Sequence, residues 1–287
     1  MVNYLVPKTL EEALHAMAEG DYVPYAGGTD LNTSGREGLK LLFIGRLPEL
    51  KEIRSDGEFV RIGAAVTYSE AEDHPLIPEI MKTAIHKVAG PAVRNYGTFG
   101  GNLANASGKA DSALVDLVLD AKLRIRSLRG ERMVDAVHFY RGRRDVDLAK
   151  DELICEILIP RRKYQVNYFY DKVSVRSSVA ISNISIASVW ETEGNVIRHL
   201  AIGVGSATDV PVRCTDMEQA LIGKTFEEVA RDREEILAGF VDAIELPPDR
   251  TDIRYRRQVC YRLLNYLLYE EFTPLEVNLS QQSEGLL

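Results

Sequence analysis

Two glycine pairs carry the residues best placed for chemistry. One is Gly27-Gly28, within Tyr25-Ala26-Gly27-Gly28-Thr29-Asp30-Leu31. The other is Gly100-Gly101, within Gly97-Thr98-Phe99-Gly100-Gly101-Asn102-Leu103-Ala104-Asn105-Ala106-Ser107. A turn without side chains lets backbone N–H groups approach an oxyanion closely. The apolar run from Ala110 to Ala121 predicts a helix after the second pair, whose positive end adds to that attraction. One such turn is an ordinary loop. Two of them, each flanked by hydroxyl and by amide or acid residues, predict a site that grips a diphosphate from two sides.

Other constellations carry less. Gly203-Val204-Gly205-Ser206-Ala207-Thr208 imitates a dinucleotide fingerprint. It lacks the third glycine, has Pro211 where a helix would run, and has no βαβ setting, so a tightly packed strand end explains it better. His15, His74, His86, His138 and His199 pair with no serine elbow, and HExxH is absent. Asp111, Asp116 and Asp120 have helical spacing, for which a solvated face is the ordinary cause. With no hydrolytic triad in sight, a reaction carried by a cofactor fits best.

The elements that must position the glycine turns follow from caps and periodicity. Thr9-Leu10-Glu11-Glu12 is a capping-box pattern opening a helix through Leu10, Ala13, Leu14 and Met17, with Gly20 closing it. Tyr22 to Ala26 reads as a strand feeding the first turn, and Leu41 to Ile44 as another. Phe59 to Ala65 predicts a strand, Ser69 with Glu72 a capped short helix, and Pro78 to Ala89 an amphipathic helix stopped by Gly90-Pro91. Lys122 to Arg126 alternates, and Glu152 to Ile159 is a strand stopped by Pro160. Beyond them the pattern turns antiparallel, with strands at Tyr168 to Val175, Ile181 to Glu191 and Val196 to Gly205. Helices follow at Asp216 to Leu221, Phe226 to Phe240 and Asp252 to Tyr269, and the last fifteen or so residues read as a loose tail.

Bulk properties bound the rest. The 287 residues exceed one ordinary core and suit two or three units. A net charge of −8 argues against general nucleic-acid binding. Basic runs at Arg141 to Arg144, Arg161 to Lys163 and Arg254 to Arg257 read first as solvated or rim surface. Cys155, Cys214 and Cys260 form no CxxC pair, so the expectation is no cluster or structural zinc and a reducing cytoplasm; no run of 18 apolar residues occurs, so no membrane span is expected.

At this point the residues resemble a known family. The two glycine motifs, then Ala106-Ser107, Ala110-Asp111, Leu119-Asp120-Ala121, Asp151-Glu152-Leu153-Ile154, Tyr170-Asp171-Lys172 with Arg176, and Gly205 with Pro211 and Arg213 occur in one order. That order is similar to the FAD-binding medium subunit of molybdenum hydroxylases, the xanthine dehydrogenase and carbon monoxide dehydrogenase type. Nearly the whole chain is covered. One departure is Ser107-Gly108-Lys109, where the family often has Ser-Pro.

The resemblance implies an α+β fold: a two-subdomain FAD-binding unit of the vanillyl-alcohol-oxidase type plus an α+β C-terminal domain. The expected divisions are residues 1–55, 56–165 and 166–287. It implies FAD held by Tyr25, Ala26, Gly27, Gly28, Thr29, Asp30 and Leu31 and by Thr98, Phe99, Gly100, Gly101 and Asn102. Asn105 would face the cofactor, while Asp111, Ile154 and Lys172 would approach the ribityl chain and the isoalloxazine ring. No side chain here need act as nucleophile or base. Electrons would arrive from an iron–sulfur subunit with [2Fe-2S] clusters, fed by a molybdenum-cofactor subunit, and leave towards NAD⁺ or another acceptor. Two rivals are a free-standing flavin oxidase and an assembly subunit that has lost FAD.

Overall fold

The computed structural model describes residues 3–33, 38–164, 166–174, 182–244, 246 and 252–271. Thr9 opens the first helix, Leu10–Glu19, by accepting the Glu12 N–H on its hydroxyl. The Glu12 carboxylate reaches the Lys8 N–H, one residue further out than a capping box expects. Leu10, Ala13, Leu14 and Met17 pack with Leu42. The helix is the crossover of a three-stranded parallel sheet ordered Asn3–Leu5, Lys40–Phe43, Tyr22–Tyr25. The first glycine pair therefore leaves the carboxyl end of a parallel strand.

A five-stranded antiparallel sheet follows, ordered Ile53–Ser55, Phe59–Gly63, Leu153–Pro160, Lys122–Ser127, Gly130–Asp135. Its two faces have different chemistry. Val60, Ile62, Leu123, Ile125 and Ile157 bury themselves with helices Glu79–Lys87, Phe99–Asn105 and Asp111–Val118. Among the polar residues, Glu156 receives Arg54, Arg61 and Arg124 at 2.8, 3.2 and 2.9 Å.

The third sheet is antiparallel: Asn167–Ser174, Ser182–Glu193, Val196–Gly205, Val212–Arg213. Ile184, Ile186, Leu200, Ile202 and Val204 pack with helices Thr215–Leu221, Phe226–Arg231, Arg233–Ala243 and Ile253–Tyr266. Residues of the opposite parity, Ala187, Val189 and Ala201, join the core around helix Asp111–Val118. Gly203 and Gly205 lie on that side, where an added Cβ would stand 2.7 Å and 3.2 Å from Leu114. Close helix–sheet packing is thus what the Gly203-Val204-Gly205 pattern serves.

Several elements correct the sequence expectations. The short helix after Phe59–Gly63 is capped by Thr67 with Glu70, both halves of the box being made, and not by Ser69 with Glu72. Helix Pro91–Arg94 occupies what read as a terminator, because proline suits a first helical turn. The predicted helix from Phe226 to Phe240 breaks at Asp232. Helix Asp111–Val118 is buried on every side, so Asp111 and Asp116 are not solvated carboxylates. The basic runs are divided too: Arg161 and Arg162 are exposed, whereas Lys163 is buried against Asp120 and His199 and Arg256 is buried against Asp252.

Candidate functional site

The two glycine bends meet. At Gly27 a Cβ would stand 1.6 Å from the Tyr96 carbonyl oxygen, so only glycine lets the first bend close on the backbone that leads into the second. Gly28 adopts φ +68°, under the Tyr25 ring. The turn is closed by Asn32 N–H on the Gly28 carbonyl and Thr33 N–H on the Asp30 carbonyl, both 3.0 Å. Tyr25 is pinned from behind by its hydroxyl's contact with Asn32. Among the described residues, the backbone N–H groups of Gly27, Gly28, Thr29 and Asp30 have no hydrogen-bond partner. Four successive donors on one turn suit an anion.

The second bend works differently. Gly100 and Gly101 are not in a loop ahead of a helix; they are the second and third residues of helix Phe99–Asn105. Phe99 N–H binds the Val66 carbonyl at 3.2 Å and Gly100 N–H the Ala64 carbonyl at 2.8 Å. Gly101 N–H binds the Thr98 hydroxyl at 3.2 Å, and Asn102 N–H the Thr98 carbonyl at 3.0 Å. The amides of Phe99 to Asn102, expected to grip from this side, are already donated. Gly100 is needed because a Cβ would fall 2.6 Å from that of Ala64. At Gly101 a Cβ would meet only the Thr98 hydroxyl, which leaves a bare, exposed shoulder.

Between the bends lies a cleft of about 660 Å³, within the usual range for a small-molecule site. Of the residues singled out in the sequence, Ala26, Gly27, Gly28, Thr29, Asp30, Leu31, Thr98, Gly100, Gly101, Asn102, Asn105 and Ile154 border it. Tyr25 and Phe99 stand behind the wall, Tyr25 against Gly28 and Phe99 beside Tyr68 with ring centroids 5.2 Å apart.

Asp111 and Lys172 do not border the cleft either. They pair with each other at 2.8 Å, both buried, and Tyr170 donates its hydroxyl to Asp111 at 2.7 Å. This triad braces helix Asp111–Val118 to the third sheet. Burial, and then the neighbouring Asp111 charge, push the Tyr170 phenol well above its ordinary range. Arg176 lies outside the described residues.

Side chains missed in the sequence complete or back the walls. Ser112 donates its hydroxyl to Asn102 Oδ1 at 3.0 Å, and Tyr68 OH lies 2.8 Å from Ser112 Oγ. With Ser112 donating to Asn102, Tyr68 donates to Ser112, and the Asn102 amide hydrogens are left for the cleft. Arg144 and Lys150 also border it, from the segment before Leu153–Pro160. Arg144 belonged to a visible basic run; its place on the cleft needed the fold.

Comparison with known proteins decides what such a cleft belongs to. Residues 1–162 match the FAD binding domain in molybdopterin dehydrogenase, and residues 169–270 match the CO dehydrogenase flavoprotein C-terminal domain. The chain belongs to the FAD-binding medium subunits of the molybdenum hydroxylases. It is 32% identical to the xanthine dehydrogenase FAD-binding subunit of Escherichia coli over 229 residues, covering 76% of this chain and 78% of that one. It is 32% identical to the nicotinate dehydrogenase FAD-subunit of Eubacterium barkeri over 236 residues, 77% and 79% of the two. The glyceraldehyde dehydrogenase medium chain of Sulfolobus acidocaldarius is 30% identical over 272 residues, 90% and 93% of the two.

Solved structures agree on the fold. Carbon monoxide dehydrogenase from Hydrogenophaga pseudoflava superposes with a TM-score of 0.84 at 24% identity, covering 92% of this chain and 94% of that one. Quinoline 2-oxidoreductase from Pseudomonas putida 86 does so at 0.82 and 22%, covering 95% and 97%. The medium subunit is thus an α+β FAD-binding unit followed by an α+β C-terminal part. Among the described residues no helix is long and apolar enough to cross a membrane.

The cleft fits FAD. It combines backbone donors at Gly27 to Asp30, a side-chain-free shoulder at Gly101 and apolar walls at Val23, Leu31, Val88 and Ile154.

Proposed function

We propose that this medium subunit carries electrons between an iron–sulfur subunit holding [2Fe-2S] clusters and NAD⁺ or another acceptor. A molybdenum-cofactor subunit would be the source of those electrons. Bound FAD supplies the redox chemistry; the chain holds it, orients it and shields it. The amides of Gly27 to Asp30 face its diphosphate, and Gly101 admits it to the helix shoulder. Thr98, Asn102, Asn105 and Ile154 line its path. Asp111, Lys172 and Tyr170 act at one remove, by fixing the helix that carries Ser112. The units proposed are residues 1–55, 56–165 and 166–287, with the cleft between the first two.

The observation that carries this reading is the closure of Gly27 on Tyr96, with four undonated N–H groups and a bare helix shoulder bordering one cleft. The test is a visible absorption spectrum of the purified full-length chain, with acid release of the chromophore. One released FAD per chain and no turnover of organic donors by the chain alone is the expected result. Turnover by the isolated chain would favour a free-standing oxidase, and a colourless preparation that takes up no added flavin would favour an assembly subunit.

A further inference from the structure

A diphosphate brings two negative charges into the cleft, and the neutral amides of Gly27 to Asp30 do not cancel them. The second bend has no amide to add between Phe99 and Asn102. The charged residues bordering the cleft are Asp21, Asp30, Arg144, Lys150 and Glu152. Glu152 is already neutralised: Arg132 grips it with two hydrogen bonds of 2.9 and 2.8 Å. The same guanidinium holds the Asp147 carboxylate at 2.8 Å and the Asp147 carbonyl at 2.7 Å.

Arg132 therefore clamps the segment from Asp147 to Glu152 at both ends. Arg129 takes Asp151 with bonds of 2.8 and 2.9 Å, and Arg141 takes Asp147. Every acid of residues 147–152 is matched by an arginine from outside that segment. Lys150 lies within it, and Arg144 just precedes it in a left-handed conformation of φ +57° after strand Tyr140–Gly142. Among the described residues neither Arg144 nor Lys150 has a carboxylate partner within 4.0 Å. The lip is tied down by these ion pairs, its acids are occupied, and its two remaining cations border the cleft.

We propose that Arg144 and Lys150 supply the counter-charge for the cofactor's diphosphate, so that its backbone donors come from the first bend and its positive charge from this lip. The inference rests on the FAD reading above and assigns a role to part of the basic run at Arg141 to Arg144. It also states a selectivity. A flavin without phosphate gains nothing from these two side chains, whereas FAD gains two charge-assisted contacts.

The experiment is equilibrium titration of the full-length apo chain with FAD and with riboflavin, followed by flavin fluorescence at several salt concentrations. The variant is Arg144→Asn with Lys150→Gln; asparagine tolerates the left-handed backbone. Loss of two phosphate contacts is expected to weaken FAD by about tenfold or more and to flatten its salt dependence, with riboflavin affinity unchanged. Unchanged FAD affinity with unchanged salt dependence overturns the inference. So does an equal loss for FAD and riboflavin, because that reports damage to the cleft and not to a charge site. A wild-type chain that binds neither flavin defeats the functional reading itself, which separates the two failures.

Discussion

Gly27 and Tyr96 are joined more tightly than any side chain allows: a Cβ on Gly27 would lie 1.6 Å from the Tyr96 carbonyl oxygen. Backbone cannot move aside as a rotamer can, so the first bend must open if anything larger than hydrogen is placed there. Gly27→Ala is expected to lower stability by about 2 kcal/mol, as overpacking does, and to abolish flavin binding. Gly101→Ala separates the two effects. Its Cβ would meet only the Thr98 hydroxyl, and a helical position accepts alanine readily. Its stability should stay within about 1 kcal/mol of the parent while flavin content falls. Urea unfolding and flavin-to-protein absorbance ratios measure both.

The Asn102 carboxamide is aimed by Ser112, which does not border the cleft, and through it by Tyr68. Ser112 holds its Oδ1 at 3.0 Å and Tyr68 fixes Ser112 at 2.8 Å. Ser112→Ala frees the amide to rotate and should weaken FAD about three- to tenfold, the cost of one ordinary hydrogen bond. Ser112→Thr keeps the hydroxyl and should restore most of it. Tyr68→Phe should reproduce the alanine effect in part, since Ser112 keeps its acceptor. Flavin dissociation constants and the shape of the bound flavin's visible band report the change. Equal affinities for Ser112→Ala and the parent would remove the positioning role.

Much of the frame was legible because it is local. Thr9 with Glu12, the alternation through Lys122 to Arg126, and Pro160 at the end of a strand each state their structure within a few residues. The second bend was not. Two glycines in the first turn of a helix each cost about 1 kcal/mol in propensity, so the sequence reads as a loop. What overrides that cost is the nearby Ala64 backbone, which leaves no room at Gly100. Gly203 and Gly205 hid their purpose similarly, since Leu114 lies about ninety residues away in the chain. The glycine bends were found from their motifs; the cleft beside Arg144 and Lys150, and the Ser112–Asn102 bond between helices Phe99–Asn105 and Asp111–Val118, appear only in the folded chain.

Asp116 shows a buried group the sequence pattern could not price. It is fully buried, and neither carboxyl oxygen has a hydrogen-bond partner in the structure. Burial alone pushes its carboxyl well above 3.8. Its neighbours by charge are the buried phenols of Tyr68 and Tyr140, both held neutral. Below about pH 4 folded and unfolded chains both carry this proton. As pH rises towards the folded value, only the unfolded chain releases it, so stability falls by up to about 1.4 kcal/mol per pH unit. Asp116→Asn should be more stable than the parent at pH 7 and equal to it near pH 4. Urea midpoints across that range check the sign; a parent that gains on the variant with rising pH would refute the neutral, unpartnered acid.

Glu156 is the opposite case and should respond with the opposite sign. Desolvation raises its carboxyl, but hydrogen bonding and charge from Arg124, then the charges of Arg54 and Arg61, outweigh this and hold it below 4.5. A depressed carboxylate contributes stability above its unfolded value and loses it as pH falls through the folded one. Glu156→Gln removes the charge and leaves three arginines facing one another on strands Ile53–Ser55, Phe59–Gly63 and Lys122–Ser127. The loss should be about 1–3 kcal/mol at pH 7, below the range for a fully buried pair because the guanidinium groups are partly solvated. Lowering the pH towards 3 should bring parent and variant together. Raising ionic strength should also narrow the gap, and denaturation curves at two pH values and two salt concentrations test both. A gap that persists unchanged at pH 3 would show that the carboxylate's charge is not what ties these strands.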